Sequence, residues 1–196
     1  MTGFRLPKTP AEAIALQKEM AGRVIARNDH DRIERVCGVD VSYRKNVAHC
    51  SAVVTDLKLN VIEQIDTRSA ITQPYIPGLF MLREAGPVLR TVERASYDLL
   101  LVDGHGQLHP RRCGLACFVG LTIDKPTIGV AKSRLCGTIA GDKVELGGET
   151  MGKVVNGLYV SVGHRVSLDT AVTMVKKLSK SRMPEPLRLA DIASKK

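Results

Sequence analysis

Three carboxylates occupy positions where a charge needs a reason. Asp40 lies in the middle of VCGVDVSY (36–43), a mostly apolar run. A charge inside a buried strand is costly unless it has a partner. Asp103 follows the unbroken apolar run Leu99–Val102 in the segment DLLLVDGHGQLHPRR (98–112). Such a run reads as a strand buried on both faces, as in the middle of an α/β sheet. A carboxylate at its carboxyl end, followed by the turn Gly104-His105-Gly106, sits where open α/β sheets place their ligands. Taken alone, Asp103 also fits a helix cap. Glu84 has Phe80, Met81, Pro87 and Val88 as its one-turn neighbours, an odd setting for a solvated glutamate. If the Asp40 and Asp103 strands are neighbours, their carboxylates lie ~5 Å apart. Two like charges that close cannot both stay ionised without a counter-charge. A divalent cation removes the conflict, and an all-oxygen ligand set favours Mg²⁺ or Mn²⁺ over zinc.

Two further residues suit phosphate chemistry. Lys132 stands just past the strand 126–131 (PTIGVA), facing the same carboxylate end. An ammonium there can stabilise a pentacovalent phosphate or orient a water, although a surface lysine reads the same way. His109, beside Arg111 and Arg112, can bind phosphate or act as an acid; a loop histidine without a role fits as well. Gly104-His105-Gly106 is not a dinucleotide fingerprint, since the third glycine would fall at His109. There is no G-x-S-x-G elbow and no Walker loop, so hydride transfer and nucleotide triphosphatase chemistry lose ground.

These residues need elements to hold them. Thr9-Pro10-Ala11-Glu12 is a capping box with proline at the first helical position, and Ala13, Leu16, Met20 and Val24 follow at helical spacing. This predicts a helix to about Arg27. Strands at 36–43, 48–56 and 61–71, joined by short turns, predict an antiparallel meander. Pro74-Tyr75-Ile76-Pro77 is stiffened by its two prolines and holds Tyr75 and Ile76 extended. A helix then runs from about Gly78 to Ser96, and another from Arg111 to Gly120. The stretch 133–152 reads as a loop or small hairpin. A late strand at 157–166, a helix at 167–180 and a last short helix at 187–194 complete the chain. With no repeat, low-complexity tract or linker, residues 1–196 are expected to form one domain.

Composition narrows the partner. Lys plus Arg number 29 against 20 Asp plus Glu, a net charge of +9. That excess points to a polyanion, with nucleic acid the first candidate. The five cysteines form no C-x-x-C and leave Cys113 and Cys117 without a matching pair, which argues against zinc and against a disulfide framework. No apolar run approaches the ~18 residues of a membrane span. Glu12, Lys18 and Glu19 interrupt any signal-peptide core. A cytoplasmic monomer without a membrane partner is expected.

The blocks GVDVSY (38–43), PYIPG (74–78), FMLREAGP (80–87), VDGHGQLHPRR (102–112), PTIGVAKSRLCG (126–137), GHRVSLD (163–169) and PEPLRLAD (184–191) closely resemble the endonuclease V (deoxyinosine 3′-endonuclease) family, in order and over nearly the whole chain. The resemblance implies an RNase H-like α/β fold. In it, a mixed five-stranded sheet, three antiparallel strands plus two parallel, is flanked by helices. It also implies Mg²⁺-dependent cleavage of the second phosphodiester bond 3′ to inosine, leaving 3′-hydroxyl and 5′-phosphate ends. Asp40 and Asp103 would be metal ligands, with Glu84 a third carboxylate acting directly or through water. His109 and Lys132 would be catalytic-site residues, and Pro74, Tyr75, Ile76 and Pro77 a wedge that replaces an extruded base. Gly104, His105 and Gly106 would belong to the hypoxanthine pocket. Asp191 falls where some members carry a histidine near the metal. Inosine-containing DNA is the expected substrate. An inosine-specific ribonuclease and a non-catalytic binder of structured nucleic acid are the alternatives.

Overall fold

The computed structural model describes residues 6–196. Its centre is a mixed sheet. Strands β1 (Arg35–Arg44), β2 (Val47–Asp56) and β3 (Val61–Ala70) form the expected antiparallel meander. Strands β4 (Leu99–Asp103) and β5 (Thr127–Ala131) join it in parallel, β4 against β1 and β5 against β4. These five strands are the mixed arrangement expected from the sequence.

The sheet then continues past β5. Strands β6 (Thr138–Ala140), β7 (Lys143–Leu146), β8 (Glu149–Val155) and β9 (Leu158–His164) extend it antiparallel, giving nine strands among the described residues in the order β3-β2-β1-β4-β5-β9-β8-β7-β6. The stretch 133–152, expected as a loop or small hairpin, holds the β6–β7 hairpin and the start of β8. Its strands are short; β6 is exposed throughout and β8 shows no clean alternation, while β7 (KVEL) alternates exposed and buried as a half-buried strand does.

Side chains of β4 alternate between two cores. Leu100 and Val102 join the cluster under α1 (Pro10–Ala21), α2 (Phe80–Val92) and α3 (Leu115–Ile123). Leu99 and Leu101 join the opposite cluster under α4 (Leu168–Leu178) and α5 (Glu185–Ser194). Each is essentially fully buried, worth roughly 1.5–3 kcal/mol apiece.

Helix ends differ from expectation for local reasons. At α1, the Thr9 hydroxyl accepts from the Glu12 amide as a cap should. The helix stops at Ala21 rather than Arg27, because Gly22 is a poor helix former. The chain then turns so that the Ile25 amide donates to His164 Nδ1. Helix α3 starts at Leu115, four residues after the expected Arg111. Arg112 has φ +53 in a tight turn, its amide donating to His109 O at 2.7 Å.

Helix α5 lies across β1 and β2. Its first turn sits directly on Gly38, where an added Cβ would meet the Pro186 backbone at 2.3 Å. Only glycine permits that approach, and it carries the far end of α5 over Asp40.

Candidate active site

Strands β1 and β4 pair in parallel with Val39 opposite Val102. The next residue of each, Asp40 and Asp103, therefore emerges side by side at the end of the ladder. Asp191 descends from α5. One carboxylate oxygen from each of Asp40, Asp103 and Asp191 lies within 4.8 Å of the others. Asp40 is 8% exposed. Burial, followed by the neighbouring Asp103 charge, pushes its pKa up to about 7.

Two lysines partly offset this concentration of charge. Lys132 Nζ donates to Asp103 Oδ2 at 2.6 Å and to Asp191 Oδ1 at 3.1 Å. Lys195 Nζ donates to Asp191 Oδ2 at 2.6 Å. Burial works against the Lys132 ammonium, but the Asp103 and Asp191 carboxylates outweigh it and hold its pKa above the usual lysine range. Burial likewise opposes ionisation of Asp191, and Lys195 and Lys132 overcome it, lowering its pKa. The Ser194 hydroxyl lies 3.0 Å from both Asp40 Oδ2 and the Asp191 carbonyl, tying the two aspartates together.

Glu84 lies beside the cluster but outside the set of three. It is 4% exposed on α2, and its Oε1 accepts from the Tyr43 hydroxyl at 2.8 Å. Burial raises its pKa to about 8, against the Tyr43 hydrogen bond and with the Asp40 and Asp103 charges. The Arg83 guanidinium covers the Tyr43 ring at 4.0 Å. Glu84, Tyr43, Asp40, Asp103 and Asp191 share one open cavity of about 320 Å³.

A second pocket, of about 210 Å³, opens on the other side of Asp103 and Lys132. Tyr75, Phe80, Gly104, His105 and His109 are on its wall. Tyr75 is 60% exposed and meets the Phe80 ring edge-on, with centroids 5.7 Å apart. Ile76, expected to share its role, instead packs against the core. Pro74 and Pro77 are exposed on either side.

The structure redistributes the expected glycine pocket. Gly104 and His105 line it, but Gly106 lies beneath. The Gly104 amide donates to Val130 O, the Gly106 amide to Ser161 Oγ, and the Gly106 carbonyl accepts from Gly114. A Cβ on Gly106 would lie 2.0 Å from Val162 O. Its lack of a side chain serves the contact between this turn and β9. His105 Nε2 is bonded to Ser133 O at 2.9 Å.

His109 is also drawn into the fold. Burial lowers its pKa to about 4, so the ring is neutral near pH 7. Nε2 then donates to Gly78 O at 3.0 Å and Nδ1 accepts from the Arg111 amide at 3.2 Å. Both nitrogens are committed, and the ring does not join the aspartates. Sequence reasoning gave no role to Tyr43, Ser194, Lys195 or Gln17. Of these, Gln17 carried a signal, since it falls one turn after Ala13 on the apolar face of α1.

An oxygen-only cluster with lysines set into it, open to solvent beside a pocket, is the kind of site that holds a cation against an anionic substrate. The family model for endonuclease V matches residues 18–192. The chain belongs to the endonuclease V family. It is 42% identical to the endonuclease V of Azotobacter vinelandii, covering 93% of this chain and 92% of that one. The crystal structure of Streptomyces avermitilis endonuclease V superposes with a TM-score of 0.87 at 35% identity, over 97% of this chain and 93% of the other. That of Ciona intestinalis endonuclease V, in complex with a 24mer DNA containing an inosine followed by a ribo-adenosine, superposes with a TM-score of 0.84 at 27% identity, over 94% and 95%.

Proposed function

We propose that this chain is a cation-dependent endonuclease that cleaves DNA at deoxyinosine, at the second phosphodiester bond 3′ to the lesion, leaving 3′-hydroxyl and 5′-phosphate ends. The observation that carries this reading is the convergence of Asp40, Asp103 and Asp191 on one point, with Lys132 bonded into it. The donor set fits Mg²⁺, with Mn²⁺ as a substitute, because every ligand is a hard oxygen. When bound there, the cation supplies positive charge against the phosphodiester and the charge that develops as its bond breaks.

The chain's own residues do the rest. Asp40, Asp103 and Asp191 hold the ion, and Ser194 fixes the Asp40 carboxylate. Lys132 has three N–H donors, of which Asp103 and Asp191 use two, and the side chain is 45% exposed. The remaining donor can reach a phosphate oxygen. Glu84, buried in the wall of the same cavity, is a fourth carboxylate that acts on the ion directly or through water. The exposed Tyr75 ring, flanked by Pro74 and Pro77 and backed by Ile76 against the core, fills the place of a base swung out of the stack. The pocket walled by Gly104, His105 and the neutral His109 receives that base. The net charge of +9 draws the polyanion in.

We place this activity in one domain spanning the chain, acting as a cytoplasmic monomer. The five cysteines are all free thiols, which suits a reducing compartment, and no helix among the described residues is long and apolar enough to cross a membrane. A second reading, cleavage of inosine-containing strands with ribonucleotides, is favoured by the ribo-adenosine that follows inosine in the Ciona intestinalis complex.

End-labelled duplexes carrying inosine, guanosine or adenosine at one position, followed by deoxyribo- or ribo-adenosine, test both readings with Mg²⁺ and with EDTA. Cleavage confined to inosine, mapped to the second 3′ bond and lost in EDTA, is expected. Equal cleavage at all bases, or EDTA resistance, would overturn the proposal. Cleavage only where a ribonucleotide follows would move the assignment to the second reading.

A further inference from the structure

The carbonyl oxygen of Gly78 accepts from three side chains. Arg111 Nη2 lies at 2.6 Å, His109 Nε2 at 3.0 Å and Gln17 Nε2 at 3.2 Å. A backbone carbonyl has two lone pairs, so this oxygen is more than satisfied. The three donors are also bonded to one another. Arg111 Nε donates to Gln17 Oε1 at 2.6 Å, and the Arg111 amide donates to His109 Nδ1. Gln17 is 1% exposed and His109 3%. A buried polar network with its members satisfied restricts conformation; losing Gln17 would take the acceptor from Arg111 Nε and one of the three donors from Gly78 O.

The anchored carbonyl stands at a sensitive place. Gly78, at φ +74, joins Pro77 to the start of α2. The following Leu79 amide closes a turn onto Ile76 O, and the Leu82 amide bonds back to Leu79 O. Gly78, Gln17 and His109 all line the pocket that Asp103 and Gly104 also line. Gln17 comes from α1, where the other buried residues, Ala13 and Met20, are apolar. Leucine there would fill the space without a polar group to bury. Packing alone gives no reason for glutamine.

We infer that Gln17 is a positioning residue that, through the Gly78 carbonyl, fixes the pocket wall between Tyr75 and α2 and so sets which purine the pocket accepts. This rests on the proposed reading that the pocket takes an extruded base. Hypoxanthine differs from guanine only by lacking the 2-amino group. Rejecting guanine requires a wall that does not give, and a wall held by a cross-linked carbonyl meets that need.

Two variants and two readouts test it. Gln17→Leu removes both polar contacts. Gln17→Glu keeps an acceptor for Arg111 but has no donor for Gly78 O. Hydrogen exchange at the Leu79 and Leu82 amides, referenced to amides of β4, reports the anchor without any substrate. Single-turnover cleavage of inosine and guanosine duplexes in competition reports discrimination. Both variants are expected to speed Leu79 and Leu82 exchange by about tenfold, the value of one lost hydrogen bond, with β4 unchanged. The inosine-to-guanosine ratio should fall by about the same factor. A merely structural Gln17 would lower Tm and slow both substrates alike. Unchanged exchange would overturn the anchor. Faster exchange with an unchanged ratio, or a Gln17→Glu variant equal to wild type, would overturn the role assigned to the Gly78 contact. A wild-type protein indifferent to inosine would instead refute the substrate reading, with the exchange data still judging the anchor.

Discussion

Cation affinity should follow the protonation of Asp40, and the size of the effect shows whether Glu84 takes part. Asp40 has its pKa raised to about 7, by burial first and the Asp103 charge second. Below that pH a cation must displace a proton to use this carboxylate. The ionised fraction is about one part in eleven at pH 6 and ten parts in eleven at pH 8, so affinity should rise about tenfold over that interval. If the cation also requires ionised Glu84, with its pKa raised to about 8, the two fractions multiply. The rise then becomes about 500-fold. Mn²⁺ binding followed by electron paramagnetic resonance at pH 6, 7 and 8, without nucleic acid, separates the cases. A Glu84→Gln variant should convert the steep profile to the shallow one if Glu84 is a ligand, and leave a shallow profile unchanged if it is not. Affinity independent of pH across this range would refute the argument that Asp40 holds a proton.

The same shift predicts a stability gain from Asp40→Asn. A carboxyl with pKa near 3.8 unfolded and about 7 folded destabilises the fold as pH rises between those values. The cost reaches about 4 kcal/mol above pH 7. Cation-free Asp40→Asn should therefore unfold at a higher temperature than wild type at pH 8, by an amount that shrinks toward pH 4, while cleavage is lost; calorimetry across pH checks this. Lys132→Ala should lower the single-turnover rate by about 10² yet tighten Mn²⁺ binding, because it removes an ammonium bonded to two of the three aspartates. Weaker Mn²⁺ binding with an unchanged rate would reduce Lys132 to a structural ion pair. Tyr75→Ala should weaken binding to an inosine duplex more than to a single strand, since only the duplex has a stack to refill; equal losses in a gel-shift titration would count against a wedge.

What the sequence revealed depended on how local the signal was. The burial of β4 on both faces was readable from Leu99–Val102 alone, because each residue of an unbroken apolar run must find a core on its own side. The meeting of Asp40 and Asp103 followed once their strands were taken as neighbours. Asp191 carried no such signal. Its place depends on α5 seating on Gly38, a contact between segments far apart in the chain, and only family resemblance hinted at it. Between Thr138 and Val155 only a small hairpin was readable as an alternative to a loop, because β7 alone alternates while β6 is exposed throughout. His109 and Gly106 looked like site residues, being polar or flexible near Asp103. Both use their polar groups to hold the fold nearby, His109 while still lining the pocket and Gly106 beneath it. Gln17 was legible only as the one polar member of an otherwise apolar stripe, with nothing local to say what it bonds.

The seating of α5 on β1 also has a bearing on when the protein becomes able to act. Asp40 and Asp191 are separated by 151 positions, 191 less 40. On a ribosome, about eight to thirty seconds pass between their emergence. During that interval the meander, β4 and β5 can pair, and two aspartates can stand together without the third. A nascent chain thus carries its nucleic-acid-facing surface before it has a complete cation site. The helix that covers the core beneath Asp40 is the same one that completes the cluster. On the proposed reading, a chain halted before α5 would have its central strands paired yet lack the third aspartate of the cluster.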